Sequence, residues 1–327
     1  MLIVTETFRD VRLVGAPPGA VGKFGGDTDN WMWPRHTGDF SLFRIYADAE
    51  GKPADVADAN IPWSPRHVLP ICMDGVKEGD FAMIFGFPGQ TQRYLTSFAV
   101  DHVINTQDPL RIRMRAASLA VIDAAMRASD RTRIQYADKQ SGISNSYKKW
   151  IGELRGLREL RTIQHKQEFE AEFQRRADSS GVAAYTAVLA ELRSAYEGWT
   201  SLAKARDLFS EFVFYGPELI RFADRFKTLI NEHEKLAAEG KLAAEIARLR
   251  AGIPSFFKDY DEEVDRMVFN ALLPLYRSQV PVVFAPAAFA TIDGRWIGND
   301  MRYAEDLYSR TVFTSPQRLI AVLERFT

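Results

Sequence analysis

Apolar positions along the 327-residue chain follow two different periods. In the first hundred residues they come in short runs, at 11–14, 40–46 and 81–85, each bounded by Gly, Pro or Asp. That is the pattern of short strands between turns. From Pro109 onward the spacing becomes three or four residues, as in Leu189, Leu192, Tyr196, Trp199 and Leu202, and again in Leu219, Phe222, Phe226 and Ile230. Such spacing lines one face of a helix. Residues 232–250 are rich in Ala, Glu, Lys and Leu, all strong helix formers, and Gly181, Gly216-Pro217 and Gly252-Ile253-Pro254 mark expected helix ends. Turn punctuation thins at the same place: residues 1–100 hold 11 Gly and 8 Pro, residues 101–280 only 8 Gly and 4 Pro. The expectation is an antiparallel β segment followed by a large packed-helix segment. No fixed-period repeat argues for a solenoid.

Composition narrows the function classes. With 46% hydrophobic and 26% charged residues, the chain reads as globular rather than disordered or fibrous. Its 42 basic and 43 acidic residues leave a net charge of -1, which gives no global attraction to nucleic acid. Cys72 is the sole cysteine, and with five scattered histidines no spacing resembles a zinc site. No apolar run reaches the roughly 18 residues that span a bilayer, so membrane insertion is not expected. The first residues lack the cationic and apolar regions of an export signal.

The densest chemistry lies at residues 24–40, where three Asp, one Asn, one His, one Arg and two Trp fall within 17 residues. Two tryptophans beside turn residues fit either an ordered surface loop pinned by buried rings or a functional loop. Asp39 then enters the apolar run Phe40-Ser41-Leu42-Phe43-Arg44-Ile45, and some forty residues later stands Gly79-Asp80-Phe81-Ala82-Met83-Ile84-Phe85-Gly86-Phe87-Pro88-Gly89. This pairing resembles the middle of a chymotrypsin-fold protease of the bacterial high-temperature-requirement type. In such a protease Asp39 would be the triad acid, accepting the Nδ1–H of a histidine and stabilising the imidazolium. The alternative is an ordinary Asp at a strand edge.

The preceding loop is more specific. Gly26-Asp27-Thr28-Asp29-Asn30-Trp31-Met32-Trp33-Pro34-Arg35-His36-Thr37-Gly38-Asp39-Phe40-Ser41 closely resembles the signature of serine peptidase family forty-six, the bacterial dipeptidyl peptidases. The likeness extends through residues 10–18, Gly86-Phe87-Pro88-Gly89-Gln90-Thr91 and Gly142-Ile143-Ser144-Asn145-Ser146-Tyr147-Lys148-Lys149-Trp150. The resemblance implies a β plus α fold: part of a chymotrypsin-like double β-barrel followed by a large all-helical inserted domain. Its expected boundaries are 1–98 for the barrel region with the start of the second barrel, and 99–327 for a helical domain incomplete at its C-terminal side. It also implies peptides with a free amino terminus as substrates, a homodimeric enzyme, a periplasmic or cell-surface address and no metal or organic cofactor.

Residue by residue, the resemblance makes Asp39 the triad acid and assigns Asn30, Trp31 and Asn145 to the amino terminus of the substrate. Asn oxygens can accept from an ammonium, and a Trp face can close the cleft or offer a cation–π contact. Without the resemblance, Asn145 reads as a helix cap in Ser144-Asn145-Ser146. His36 lies three residues before Asp39 and reads as structural, because the family's catalytic His comes from earlier in the first barrel. His67, His102, His165 and His233 read as surface or satisfied structural residues. No Gly-x-Ser-x-Gly stretch occurs. Since chymotrypsin-type order is His, Asp, Ser, the expectation is an interior fragment of a serine dipeptidyl aminopeptidase, inactive alone. The rivals are a non-enzymatic helical peptide-binding or scaffold protein derived from such a protease, and a trypsin-fold endopeptidase without an amine wall.

Overall fold

A computed structural model describes residues 4–22, 31, 38, 40–83, 86 and 89–326. The chain separates into two compact units, residues 1–93 and 94–327.

The first unit is built on three short strands, β1 (Val11–Gly15), β2 (Leu42–Ala47) and β3 (Ile61–Pro62), antiparallel in the order β1-β2-β3. Val11 faces Ile45 and Leu13 faces Phe43, and the register shifts by a bulge between Leu13 and Gly15. A one-turn helix, α1 (Gly19–Gly22), follows β1. The unit is organised by Asp10, which is fully buried. Its carboxylate accepts from Arg12 Nε at 2.9 Å, Arg12 Nη2 at 2.8 Å and Asn60 Nδ2 at 2.8 Å, while its carbonyl accepts from Tyr46 N. Arg12 in turn lies over the Tyr46 ring at 3.9 Å. These bonds to the charged form, Arg12 first and Asn60 next, hold the Asp10 carboxyl well below the usual carboxylate range.

The expected double β-barrel is not what these residues build. A barrel closes only when its last strand pairs with its first and alternate side chains fill the interior. Here β3 has two residues, residues 64–83 form no strand, and Leu13, Leu42 and Phe43 are all exposed. The apolar run at 81–85 is irregular at 81–83, and residues 84 and 85 lie outside the described set. Among the described residues the architecture is a three-stranded sheet and a much larger helical unit.

The second unit begins with α2 (Ser97–His102), a π-helical turn at Val103–Gln107, and the long hairpin α3 (Asp108–Ala128) and α4 (Asp130–Glu159). The α3–α4 turn is set by Ser129, extended at φ -148° and ψ 123°, whose hydroxyl accepts from Thr132 N. Next come α5 (Thr162–Ser180), ended by Gly181 at φ 68°, and α6 (Ala183–Phe209), which runs into a second π-helical turn at Ser210–Phe214. Gly216 closes that turn against the Phe212 carbonyl and the Leu272 side chain, with no room for a β-carbon. Pro217 then precedes α7 (Glu218–Asp224). The remaining helices are α8 (Lys227–Ala238), α9 (Leu242–Lys258), α10 (Glu262–Gln279), α11 (Ala287–Trp296), α12 (Asp300–Arg310) and α13 (Pro316–Leu323).

The main core joins Leu110 and Met114 of α3, Leu208 of α6, Leu272 and Tyr276 of α10 and Tyr308 of α12. A second core holds Phe222, Leu229, Ile246, Ile253 and Leu319. The expected helix end at Gly252-Ile253-Pro254 is not one: α9 continues through Pro254. Burial of Leu249 and Ile253 and the packing of Phe256 and Phe257 on that core outweigh the lost backbone bond. The break falls instead at Gly240, at φ 68° between α8 and α9, where a glycine terminates the helix in the left-handed region.

Candidate functional site

The residues assigned from the sequence fall in both units. Asn30, Asp39 and His36 lie outside the described residues. Trp31, in the first unit, has φ 60° and is about half exposed at 53%. For a bulky side chain that backbone conformation is an outlier. Asn145, in the second unit, sits at an exposed position fifteen residues into α4, beside buried Ser144. Neither is a helix cap, because α4 runs on to Glu159. The helix instead presents Asn145 on its outer face.

A largely buried pair of ion pairs ties α3 to the end of α6 and the second π-helical turn. Arg111 and Arg115, one turn apart on α3, meet Asp207 near the end of α6 and Glu211 in the π-helical turn that follows it. Arg111 Nη2 donates to Asp207 Oδ1 at 2.9 Å, and Arg115 Nε to Glu211 Oε2 at 2.5 Å. Arg115 and Glu211 are both buried, and the Arg115 guanidinium lies over the rings of Tyr215 at 4.3 Å and Trp150 at 5.2 Å. The i,i+4 spacing of both charge pairs is visible in the sequence, but nothing local tells that the two pairs meet across 96 residues.

His102 departs from its expected surface or satisfied role. It is buried, its ring lies 5.0 Å from that of Trp199, and neither ring nitrogen has a hydrogen-bond partner among the described residues. Burial holds its pKa below the ordinary histidine value. At the other end of the π turn that follows His102, Asp108 is also buried with both carboxylate oxygens unpartnered. Burial, reinforced by Glu153 and opposed by Lys149 and Arg111, pushes its pKa up to about 7. A carboxyl whose folded pKa is raised contributes stability that is present below its unfolded pKa and is lost as pH rises through the folded one. The free-energy advantage of Asp108→Asn over the parent is therefore expected to widen by about 3 kcal/mol between pH 4.5 and 7.5, measured by urea unfolding. An advantage that does not change with pH would show that Asp108 ionises normally in the folded state.

A cavity of about 400 Å³ opens on the α4 face next to Asn145, bordered by Gly142 and Ser146 of that helix. At its base Asp265, fully buried on α10, accepts from Tyr308 Oη at 2.8 Å and from the backbone amides of Glu218 at 2.5 Å and Leu219 at 3.3 Å. Burial pushes its pKa up to about 7 against those bonds. Lys139 of α4 pairs with Glu218 at 2.7 Å and donates to the Asp259 carbonyl. These bonds tie the middle of α4 to α7 and to the loop before α10. No group of three or more metal-ligating side chains occurs among the described residues. No described helix is long and apolar enough to cross a membrane.

A short antiparallel sheet joined in sequence to a large helical unit, with an exposed asparagine on its longest helix, fits the class of protein named by the loop signature, a peptidase with an inserted helical domain. The whole chain, residues 1–327, matches Peptidase S46, and it belongs to that family. It is 41% identical over 314 residues to the Asp/Glu-specific dipeptidyl-peptidase of Flavobacterium psychrophilum, covering 95% of this chain and 43% of that protein. To the dipeptidyl-peptidase 7 of Phocaeicola vulgatus it is 42% identical over 320 residues, covering 96% of this chain and 44% of that one. The crystal structure of Porphyromonas endodontalis DPP11 in complex with the dipeptide Arg-Glu is similar at a TM-score of 0.79 and 32% identity, covering 97% of this chain and 45% of that one. The chain thus spans less than half the length of these relatives.

Proposed function

We propose that these residues form part of a serine dipeptidyl aminopeptidase that releases dipeptides from the free amino terminus of peptides. Family membership carries the reading, because relatives about two-fifths identical over nearly the whole chain are named dipeptidyl-peptidases. In this reading Asp39 is the triad acid. It orients a histidine that acts first as base and then as acid while a serine forms the acyl-enzyme. Asn30, Trp31 and Asn145 hold the substrate ammonium. The exposure of Asn145 at mid-helix supports that role, since it leaves the side chain accessible to a ligand. The same reading includes a homodimeric enzyme in the periplasm or at the cell surface.

The discriminating measurement is hydrolysis of a peptide with a free amino terminus against its acetylated counterpart, in the peptidase polypeptide that carries these residues. Loss of a hydrogen bond to a charged group costs about 1.5–3 kcal/mol, so Asn145→Ala is expected to lower kcat/KM about 10- to 100-fold, mainly through KM. The acetylated peptide should be refractory for both forms. Equal cleavage of the two peptides by the parent would refute amine recognition and favour an endopeptidase. The 327-residue chain alone, which contains no Gly-x-Ser-x-Gly stretch, is expected to release no dipeptide.

A further inference from the structure

The helical-unit cavity beside α4 has a charge arrangement that the proposed peptidase chemistry leaves unused. Four cations and three carboxylates border it. Arg115 is neutralised by Glu211, and Lys139 by Glu218. The Asp265 carboxylate is already occupied by Tyr308 and two backbone amides. What remains is Asp138 and the exposed pair Arg221, on α7, and Arg225, the C-cap residue that follows it. Among the described residues neither guanidinium lies within salt-bridge distance of a carboxylate. Arg221 donates only to the Phe214 carbonyl at 3.3 Å, and Arg225 overlies the Phe222 ring at 5.8 Å. Arg225 keeps right-handed helical geometry at φ -61° and ψ -23°, so the i,i+4 pair stays on one face, and both residues line the same opening.

The wall beneath them is apolar. Phe222 stacks flat on Phe256 at 3.8 Å, and Phe214 and Tyr215, both about half exposed, flank the cavity together with Ile143 and Val268. A ligand that satisfies both features carries a carboxylate for the arginine pair and an apolar or aromatic body for the wall. An inorganic anion would leave the apolar wall wet, and an uncharged apolar molecule would leave the guanidinium pair unanswered. At about 400 Å³ the space accommodates one small amino-acid-sized body. We propose that this cavity binds a carboxylate attached to an apolar body, with Arg221 and Arg225 as the anion-recognising pair. The site is carried by the helical unit itself and does not depend on the assignment of Asp39 or Asn145.

The test is isothermal titration of the 327-residue chain with N-acetyl-phenylalanine and, separately, with its carboxamide, which preserves the body and removes the charge. Binding of the acid with a Kd in the millimolar range or below, and at least about tenfold weaker binding of the amide, is the expected result. Arg221→Gln with Arg225→Gln should weaken the acid by a similar factor and leave the amide unaffected. Both side chains are exposed, and Arg225→Gln alone removes no hydrogen bond to the protein, so it keeps the test open if the double variant unfolds. A tripeptide ending in phenylalanine that displaces the probe identifies a peptide carboxy terminus as the source. Failure to displace it assigns the site to free acids. Equal affinity for acid and amide, or no heat from either at millimolar concentration, would overturn the proposal.

Discussion

Arg115→Ala is expected to lower the unfolding free energy of the helical unit by about 3–5 kcal/mol, because it leaves a buried carboxylate without its partner. The Arg115 and Glu211 side chains are 4% and 3% exposed, and the pair is two-pronged, with Nε to Oε2 at 2.5 Å and Nη2 to Oε1 at 3.3 Å. Burial raises the Glu211 pKa, and Arg115 is the first influence opposing that rise. Without Arg115 the carboxyl would take up a proton in the folded state at higher pH than in the unfolded one. The variant's deficit should therefore be larger at pH 8 than at pH 5. Urea unfolding followed by circular dichroism at both values measures it. A second variant separates lost attraction from stranded charge: Arg115→Met combined with Glu211→Leu removes both charges and should recover most of the stability. A single-variant loss below about 1 kcal/mol, the range of an exposed pair, would mean that water reaches Glu211.

The parts of the fold that were legible in the sequence are those specified locally. Gly181 ends α5, Gly216-Pro217 separates the second π turn from α7, and Leu219, Phe222 and Phe226 are all buried as their spacing demands. Ile230, the next in that series, is exposed because α7 ends at Asp224 and a new helix begins at Lys227 with its phase reset. The stripe from Leu189 to Leu202 is likewise only partly realised. Leu192 and Leu202 are exposed, and burial on α6 concentrates at Ala203, Ala205, Asp207 and Leu208, where α3 lies alongside. Small and acidic residues are poor periodicity markers, so the buried end of α6 does not show in the apolar spacing. The barrel failed for a different reason. Strands 11–14 and 40–46 were close to the observed β1 and β2, but closure depends on partners for their edges, which no local pattern supplies. The helical cavity was also beyond local reading, since its walls come from α3, α4, α7, α9 and α10 and its charge balance depends on pairs as distant as Lys139 with Glu218.

The loop signature concentrates the catalytic expectation on one side chain, and Asp39→Asn in the peptidase polypeptide that supplies the nucleophile is expected to reduce kcat about ten-thousand-fold with KM little changed. The reason is the tautomer. A carboxylate accepts Nδ1–H and leaves Nε2 free to take the serine proton, whereas an Asn amide can donate to Nδ1 and favour the form that carries its proton on Nε2, which cannot act as base. In the proposed arrangement ground-state binding rests on the amine site rather than on the triad, so the loss should fall on kcat. Raising the pH should restore part of the rate, as hydroxide replaces the missing base. That profile separates Asp39 from a residue that only shapes the turn into β2, whose replacement would lower stability and leave the shape of the pH profile unchanged. Retention of kcat within about tenfold would remove Asp39 from the triad. It would leave the Phe40 and Leu42 strand entry as the only reason for an acid at that position, the ordinary strand-edge aspartate with which the sequence pattern is also compatible.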